Sequence, residues 1–184
     1  TMYERILKQA SFYTVFAPTD SAVNEYLKEQ GYASISEVSA AEADTIVAYS
    51  LVYNVFEFDE LTDVLTNGWD TLRSIKKKTA FYNTIYQEML PDSSMAWVVD
   101  ATANGNYVGG DNNYKYVPTY LDRIFTQRGL IPTDYEYFYP GISYNGTNIQ
   151  GAHIVTKNMM AENGIIHAVD KVNKPLPNLE NVLE

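Results

Sequence analysis

The chain has 184 residues, enough for one domain with its own hydrophobic core, and its hydrophobic content of 46% and charged content of 20% are ordinary for a globular protein. Its 13 basic and 23 acidic residues give a formal net charge of −10, which argues against nucleic acids and anionic membrane surfaces as partners because both attract basic proteins. The absence of cysteine excludes disulfides, thiolate metal sites and thiol catalysis.

The first predicted elements are a strand and a helix joined by a proline corner. Residues 14–16 (Thr-Val-Phe) are β-branched or aromatic, which is typical of a short buried strand. Pro18 has no backbone N–H to donate, so the strand is predicted to end there. Thr19 or Asp20 can then cap a helix that ends at Gly31. The predicted apolar face of this helix consists of Ala22, Val23, Tyr26 and Leu27.

Capping patterns predict three further short helices. Ser34 with Glu37, and Ser39 with Glu42, have capping-box spacing, in which each side chain bonds the backbone N–H of the other residue. The second box opens a helix that is predicted to reach about residue 51. Asp59 is predicted to cap a helix that reaches about residue 66.

The stretch from residue 71 to residue 139 mixes predicted strands and helices with polar loops. Strands are predicted at 71–75, 79–86, 96–101 and 114–117, and helices at 119–128 and 134–138. The basic run Lys76-Lys77-Lys78 is predicted to be a solvated edge or turn, with a binding patch as the alternative. No linker-like composition marks a boundary, so this stretch is predicted to elaborate a single domain.

The second distinctive segment lies near the far end of the chain. Asn163-Gly164 is a turn dipeptide, and the apolar run 165–169 that follows it predicts a central strand. This segment and the proline corner, in this order, resemble the two signature segments of the fasciclin domain family. The residues that carry the resemblance are Thr14, Phe16, Pro18, Thr19, Asp20, Asn163, Gly164, His167 and Asp170.

The resemblance implies an α+β fold in which twisted β-sheets form a wedge with helices packed against one side, and in which the strands at 14–16 and 165–169 are central. It covers about two thirds of the chain. We expect a single fasciclin-like domain over residues 1–177, an insertion at about 79–139 that forms a flap or subdomain, and a tail or linker at 178–184. It implies neither an enzyme nor a cofactor.

Two segments are candidates for partner binding because they align with the family's contact segments. Tyr49 and Ser50 align with a Tyr-His pair, so the family's histidine is absent here. Asn158, Met159 and Met160 align with an Asp-Ile segment that resembles an integrin contact in animal members. Asn158 replaces the aspartate and so removes the carboxylate, which argues against an animal-type integrin contact. The two methionines are an adaptable apolar surface or part of the core.

His153 and His167 are the two histidines of the chain, and both lie in predicted strands. A buried, hydrogen-bonded structural role is predicted for His167. A hydrolase would have to use one of these histidines together with a carboxylate and a hydroxyl, and no nucleophile-elbow, zinc-protease or phosphate-loop pattern supports that alternative.

The predicted insertion is rich in aromatic residues and contains a polar loop. Its rings fill a small core of their own, form a protein interface or stack on a glycan, and these three alternatives stay open. The loop carries oxygen ligands that make calcium conceivable, but its spacing fits no EF-hand, so a flexible hairpin loop is favoured. The aromatic residues are Trp97, Tyr107, Tyr114, Tyr116, Tyr120, Tyr135, Tyr137 and Tyr139, and the loop residues are Asp100, Asn104, Asn106, Asp111 and Asn112.

The function that these patterns predict is a non-enzymatic binding and adhesion module that recognises a surface protein, a matrix protein or a glycan. The alternative is a structural subunit of a bacterial surface assembly that binds its neighbours through the tyrosine-rich insertion. The missing cysteines and the insertion resemble bacterial surface members, so we expect an extracellular or cell-surface location. A leader and an anchor, for instance that of a lipoprotein, would lie upstream, and the oligomeric state stays open.

Overall fold

The computed structural model describes residues 3, 7–8, 12–61, 76–80, 84–89, 95–100 and 116–176. Within these ranges the protein has an α+β fold, which confirms the predicted fold class. The helices are α1 (Asp20–Gln30), α2 (Ala40–Ser50), α3 (Phe58–Leu61), α4 (Asp122–Arg128) and α5 (Pro132–Phe138). The strands are β1 (Tyr13–Pro18), β2 (Leu51–Tyr53), β3 (Lys76–Lys78), β4 (Thr84–Met89), β5 (Met95–Asp100), β6 (Tyr116–Leu121), β7 (Thr147–Ile149), β8 (Ala152–Ala161) and β9 (Gly164–Val169).

The two signature segments are neighbouring strands at the centre of the main sheet. This seven-stranded sheet has the order β2-β1-β9-β8-β7-β6-β3, and β1 pairs with β9 in parallel from Tyr13↔Gly164 to Pro18↔Val169. A Cβ atom at Gly164 would contact the Tyr13 carbonyl oxygen. The Asn-Gly turn therefore needs glycine, because only a residue without a side chain lets β1 approach this closely.

The main sheet curls so that its two outer strands approach each other. Val52 in β2 forms an antiparallel bridge with Thr79, which directly follows β3. The curl encloses a hydrophobic core to which strands and helices both contribute. The core residues are Phe16, Tyr49, Val52, Phe56, Leu61, Val117, Leu121, Ile124, Ile149, Ala152 and Val169.

The prediction that the lysine run is solvated is wrong for Lys77. Its side chain is 1% exposed, and its ammonium nitrogen lies 5.1 Å from the centre of the Phe56 ring. The run forms β3, whose middle residue pairs with Val117 of β6, so alternation along the strand turns that lysine inward. The cation then gains an aromatic face in place of water.

Local capping signals place the first two helices correctly and fail at two later positions. The Thr19 hydroxyl accepts from the Ala22 amide, and Gly31 ends α1 in the left-handed conformation with φ of 77°. Ser39 caps α2 as predicted. Ser34, by contrast, makes no side-chain cap and precedes only a 3₁₀ turn, Ile35–Glu37. Asp59 lies inside the first turn of α3 rather than before it.

Glu42 does not complete its predicted capping box, because its carboxylate is used for a tertiary contact. It accepts hydrogen bonds from the hydroxyls of Tyr26 and Tyr32, at 2.8 Å for Tyr32, and lies 3.4 Å from the Lys174 ammonium. The bonds from the two tyrosines, in that order, hold the pKa of the Glu42 carboxyl below its ordinary value. This network ties the segment after β9 to helices α1 and α2.

The predicted strand and helix around Pro118 are shifted. The strand extends to Leu121, and the helix starts at Asp122 rather than at residue 119, although it does end at Gly129. Pro118 cannot donate to the sheet, but its carbonyl accepts from the Gln150 amide at 2.8 Å. At the start of the predicted strand at 79–86, Thr79 forms only an isolated bridge and Ala80 is not in a strand, while residues 84–86 do lie in β4. Residues 81–83 and the predicted strand at 71–75 lie outside the described residues.

The predicted insertion has two structurally different parts. Strands β4 and β5 pair with each other as a separate two-stranded sheet. From Tyr116 onward, however, the chain belongs to the main sheet and its core through β6, α4 and α5. The predicted flap therefore does not include residues 116–139, and the flap itself and the boundaries of the domain stay predictions.

Candidate functional site

His167 has the buried structural role that its strand position predicts. Its side chain is fully buried and stacks on Phe16, with ring centroids 5.8 Å apart. Its Nε2 donates to the Phe56 carbonyl at 2.9 Å, and its Nδ1 accepts from the Asn158 amide at 3.3 Å. Burial lowers the pKa of His167, against a smaller opposing effect of the bond to Phe56. The ring is thus a neutral cross-link between strands and has no nitrogen left for a substrate.

His153 is paired with a carboxylate, yet both of its ring nitrogens are occupied. Nδ1 lies 2.7 Å from Asp170 Oδ2, and Nε2 lies 2.8 Å from the Ser143 carbonyl oxygen. Partial burial alone lowers the pKa of His153, but the bonds to Ser143 and Asp170 outweigh it and raise the pKa above its ordinary value. Flanked by two acceptors, this imidazole is held as a donor and is not available as a base toward a hydroxyl.

The candidate tyrosines divide into buried and exposed groups. Tyr135 is 1% exposed, its hydroxyl donates to the Gln150 carbonyl at 2.8 Å, and its ring stacks on Tyr139 with centroids 4.9 Å apart. Tyr49 is buried as well, and its hydroxyl donates to the Tyr116 carbonyl. Burial raises the pKa of both phenols. These rings form a core between α5 and the main sheet, so Tyr49 and Tyr135 are not surface contacts.

Helix α5 also presents an aromatic pair to solvent. Tyr137 is 81% exposed and Phe138 is 68% exposed, and their rings stand at 86° with centroids 5.3 Å apart. Asp134 lies three and four residues before them, on the same side of the helix. We call these three residues the α5 corner. Leu130 and Ile131 directly precede the helix and are also exposed apolar residues.

The second exposed apolar surface lies on β8. It consists of Val155, Met159 and Met160, which we call the β8 surface, and Met160 is its most exposed member at 73%. Strand β7 covers only the first two residues of β8, through the pairs Asn148↔His153 and Ile149↔Ala152. From Val155 onward the residues of β8 are exposed, and register shifts between residues 154 and 159 mark irregular pairing with β9.

Asn158 is engaged structurally inside the β8 segment. Its Oδ1 accepts from the Phe58 amide at 2.8 Å at the start of α3, and its backbone has φ of 58°. Lys157 lies over the Phe58 ring, 4.2 Å from the ring centre. The side-chain oxygen of Asn158, a candidate for partner binding, is therefore already engaged in a hydrogen bond within the domain. Ser50, the other polar candidate, is buried and donates to the Ile46 carbonyl.

Several predicted site residues cannot be placed. Trp97 lies in β5, of which the structure describes the backbone, and Tyr107, Tyr114 and the proposed calcium loop from residue 101 onward lie outside the described residues. Among the described residues, no group of three or more histidine, aspartate or glutamate side chains could hold a metal ion. None of the described helices is long and apolar enough to cross a membrane.

The topology is that of an α+β domain in which the two segments that resemble the fasciclin signature are neighbouring parallel strands. No protein-family model matches the sequence, and no match was found among curated proteins. Among solved structures, the chain is similar to a FAS1 domain pair from the insect cell adhesion molecule fasciclin I, at 14% sequence identity and a TM-score of 0.41. The likeness covers 92% of this chain and 38% of that chain.

Proposed function

We propose that this domain is a non-enzymatic binding or adhesion module that recognises a protein or a glycan at the cell surface. The observation that carries the proposal is the α5 corner, where Tyr137 and Phe138 stand exposed on a helix whose other face is anchored by buried Tyr135. Exposed aromatic side chains on a rigid helix are typical of recognition surfaces, because they contribute a large contact area and lose little conformational entropy on binding.

The state of the histidines supports a role in binding rather than in catalysis. His167 is neutral, buried and bonded at both nitrogens, and His153 is held between Asp170 and the Ser143 carbonyl. Neither ring faces a free hydroxyl within the described part of the chain. A hydrolytic mechanism would require at least one of these pairs to be broken before a substrate could be activated.

Adhesion by beads that display the domain tests this proposal. Beads carrying the wild-type domain are passed over cell monolayers, bacterial envelopes and surfaces coated with matrix proteins. The α5 corner is altered in a Tyr137→Ser/Phe138→Ser variant and the β8 surface in a Met159→Ser/Met160→Ser variant. Ile35→Ser, at an exposed apolar residue away from both surfaces in sequence, is the matched control.

We expect retention on at least one surface, retention by the control, and a loss of at least tenfold in one of the two double variants. Circular dichroism checks that every variant stays folded. If wild-type beads are retained on no surface, or if both double variants adhere as well as the wild type, the proposed function is wrong.

The alternative function, a structural subunit of a surface assembly, is favoured by one observation. Strands β4 and β5 pair only with each other among the described residues, so this hairpin has outer edges on which a neighbouring chain could add a strand. Sedimentation across a hundredfold dilution tests it. Dimers or larger species that survive dilution support the assembly function, and a monomer at every concentration contradicts it.

A further inference from the structure

We propose that the α5 corner binds the pyranose rings of an uncharged glycan, an inference that rests on the proposed function and names its ligand class. The rings of Tyr137 and Phe138 stand edge to face, at 86° with centroids 5.3 Å apart, and both side chains are exposed. A pyranose presents C–H bonds on one face and hydroxyls around its rim. The electron-rich face of an aromatic ring attracts the C–H face, and a second perpendicular ring contacts its edge.

Asp134 supplies a hydrogen-bond acceptor beside the two rings. It lies three residues before Tyr137 and four before Phe138, which places it next to both, about one helical turn toward the N-terminus of α5. Its Oδ2 accepts from the Ile131 amide at 2.8 Å, and no hydrogen bond to its Oδ1 is present among the described residues. A carboxylate oxygen beside stacked rings accepts sugar hydroxyls well, because an ionised carboxylate is a pure acceptor.

Charge selects among glycans. Asp134 and the exposed Glu136 both lie on α5, and the whole chain carries a formal net charge of −10. Sialic and uronic acids would place a carboxylate close to these groups, and repulsion between like charges would weaken their binding. The geometry therefore points to neutral sugars.

The α5 corner is held in place before any ligand arrives. Within the same helix, the buried Tyr135 hydroxyl donates to the Gln150 carbonyl, and the Tyr135 ring stacks on Tyr139. The helix begins with Pro132 and is closed by the reciprocal bonds between Ile131 and Asp134. Little conformational entropy is lost on binding to such a surface, which favours recognition of a ligand as small as one or two sugar rings.

A glycan array tests the inference, with the intact domain displayed in several copies on streptavidin so that weak single contacts are detected. The variants are Tyr137→Ser, Phe138→Ser and Asp134→Asn, the last of which keeps an oxygen to cap α5. Phe12→Ser, at another exposed aromatic residue, is the control. We expect the wild type and the control to bind neutral glycans in preference to sialylated ones, each serine variant to lose at least tenfold, and Asp134→Asn to lose several-fold.

Two results would overturn the glycan assignment, namely no binding to any neutral glycan or equal binding by wild type and both serine variants. The bead assay separates this failure from failure of the proposed function. Adhesion that persists after periodate oxidation of surface sugars, together with an empty array, leaves a binding module whose partner is a protein. Absence of both signals overturns the two proposals together.

Discussion

Replacement of His167 by phenylalanine isolates the two hydrogen bonds by which this ring joins β9 to β8 and to the Phe56 segment. The phenyl ring is slightly larger than the imidazole but keeps an aromatic surface against Phe16, while the Phe56 carbonyl and the Asn158 amide lose their partner. A buried polar group left without a partner costs about 1–3 kcal/mol. Two such groups, one of them only partly buried, give an expected loss of about 2–4 kcal/mol in the free energy of unfolding at pH 8.

This loss depends on pH because burial holds the pKa of His167 below its ordinary value. The unfolded chain binds a proton at this residue near pH 6.5, whereas the folded protein does so only at lower pH. The stability that the neutral ring contributes is present above about pH 6.5 and is lost as the pH falls toward the folded pKa, by up to about 1.4 kcal/mol per pH unit. Phenylalanine does not titrate, so the difference between the two proteins narrows as the pH falls.

Urea unfolding followed by circular dichroism at pH 8, 7, 6 and 5 measures both effects. Ile165→Val is the matched control, because it removes one methylene from the same buried strand and introduces no change in titration. We expect its cost, about 1 kcal/mol, to be independent of pH. A His167→Phe deficit below 1 kcal/mol at pH 8, or one that stays constant down to pH 5, would refute the reasoning.

Two further predictions use other parts of the fold. The raised pKa of His153 implies that its pairing with Asp170 stabilises the protein fully below about pH 6.5, and that this stabilisation is lost as the pH rises through the folded pKa. In urea unfolding, His153→Gln should therefore lower the free energy of unfolding by about 1–2 kcal/mol at pH 5.5 and by less at pH 9. Equal losses at the two pH values would contradict this. Gly164→Ala should cost more than about 3 kcal/mol or prevent folding, because its Cβ would contact the Tyr13 carbonyl oxygen. Gly129→Ala, which has a positive φ and open space around it, should cost only about 1 kcal/mol, and equal thermal shifts for the two alanine variants would show that close approach is unimportant.

The elements that could be predicted from sequence are those whose signal is local. The central strands β1 and β9, the hydroxyl caps of α1 and α2, and the glycine that ends α1 follow from the conformational preferences of a few adjacent residues. The start of α4 was misplaced because Pro118 is favourable at the first turn of a helix and also tolerated in a strand whose neighbours do not need its N–H. The pairing of β6 with β3 and β7 decided between the two.

The candidate site was less predictable, because exposure is a property of the assembled fold. Residues 135 and 137 are both tyrosine, yet one is buried against β6 and the other is 81% exposed. Phe138 carried no signal that distinguished it from a core residue, although its spacing from Asp134 could have indicated a shared helix face. Asn158 was recognisable as a departure from the family pattern, but its bond to the Phe58 amide crosses a hundred residues of sequence.

The sequence by itself determined that the chain folds as an α+β domain and that two distant segments, the proline corner and the Asn-Gly strand, form its centre. Only the tertiary structure decided that Lys77 is buried, that Tyr135 and Tyr49 belong to the core, and that Tyr137 and Phe138 remain at the surface. The physical reason is that backbone preferences act between adjacent residues, whereas burial depends on which surface the curled sheet and its helices cover. The surface that we propose for ligand binding is what that covering leaves exposed.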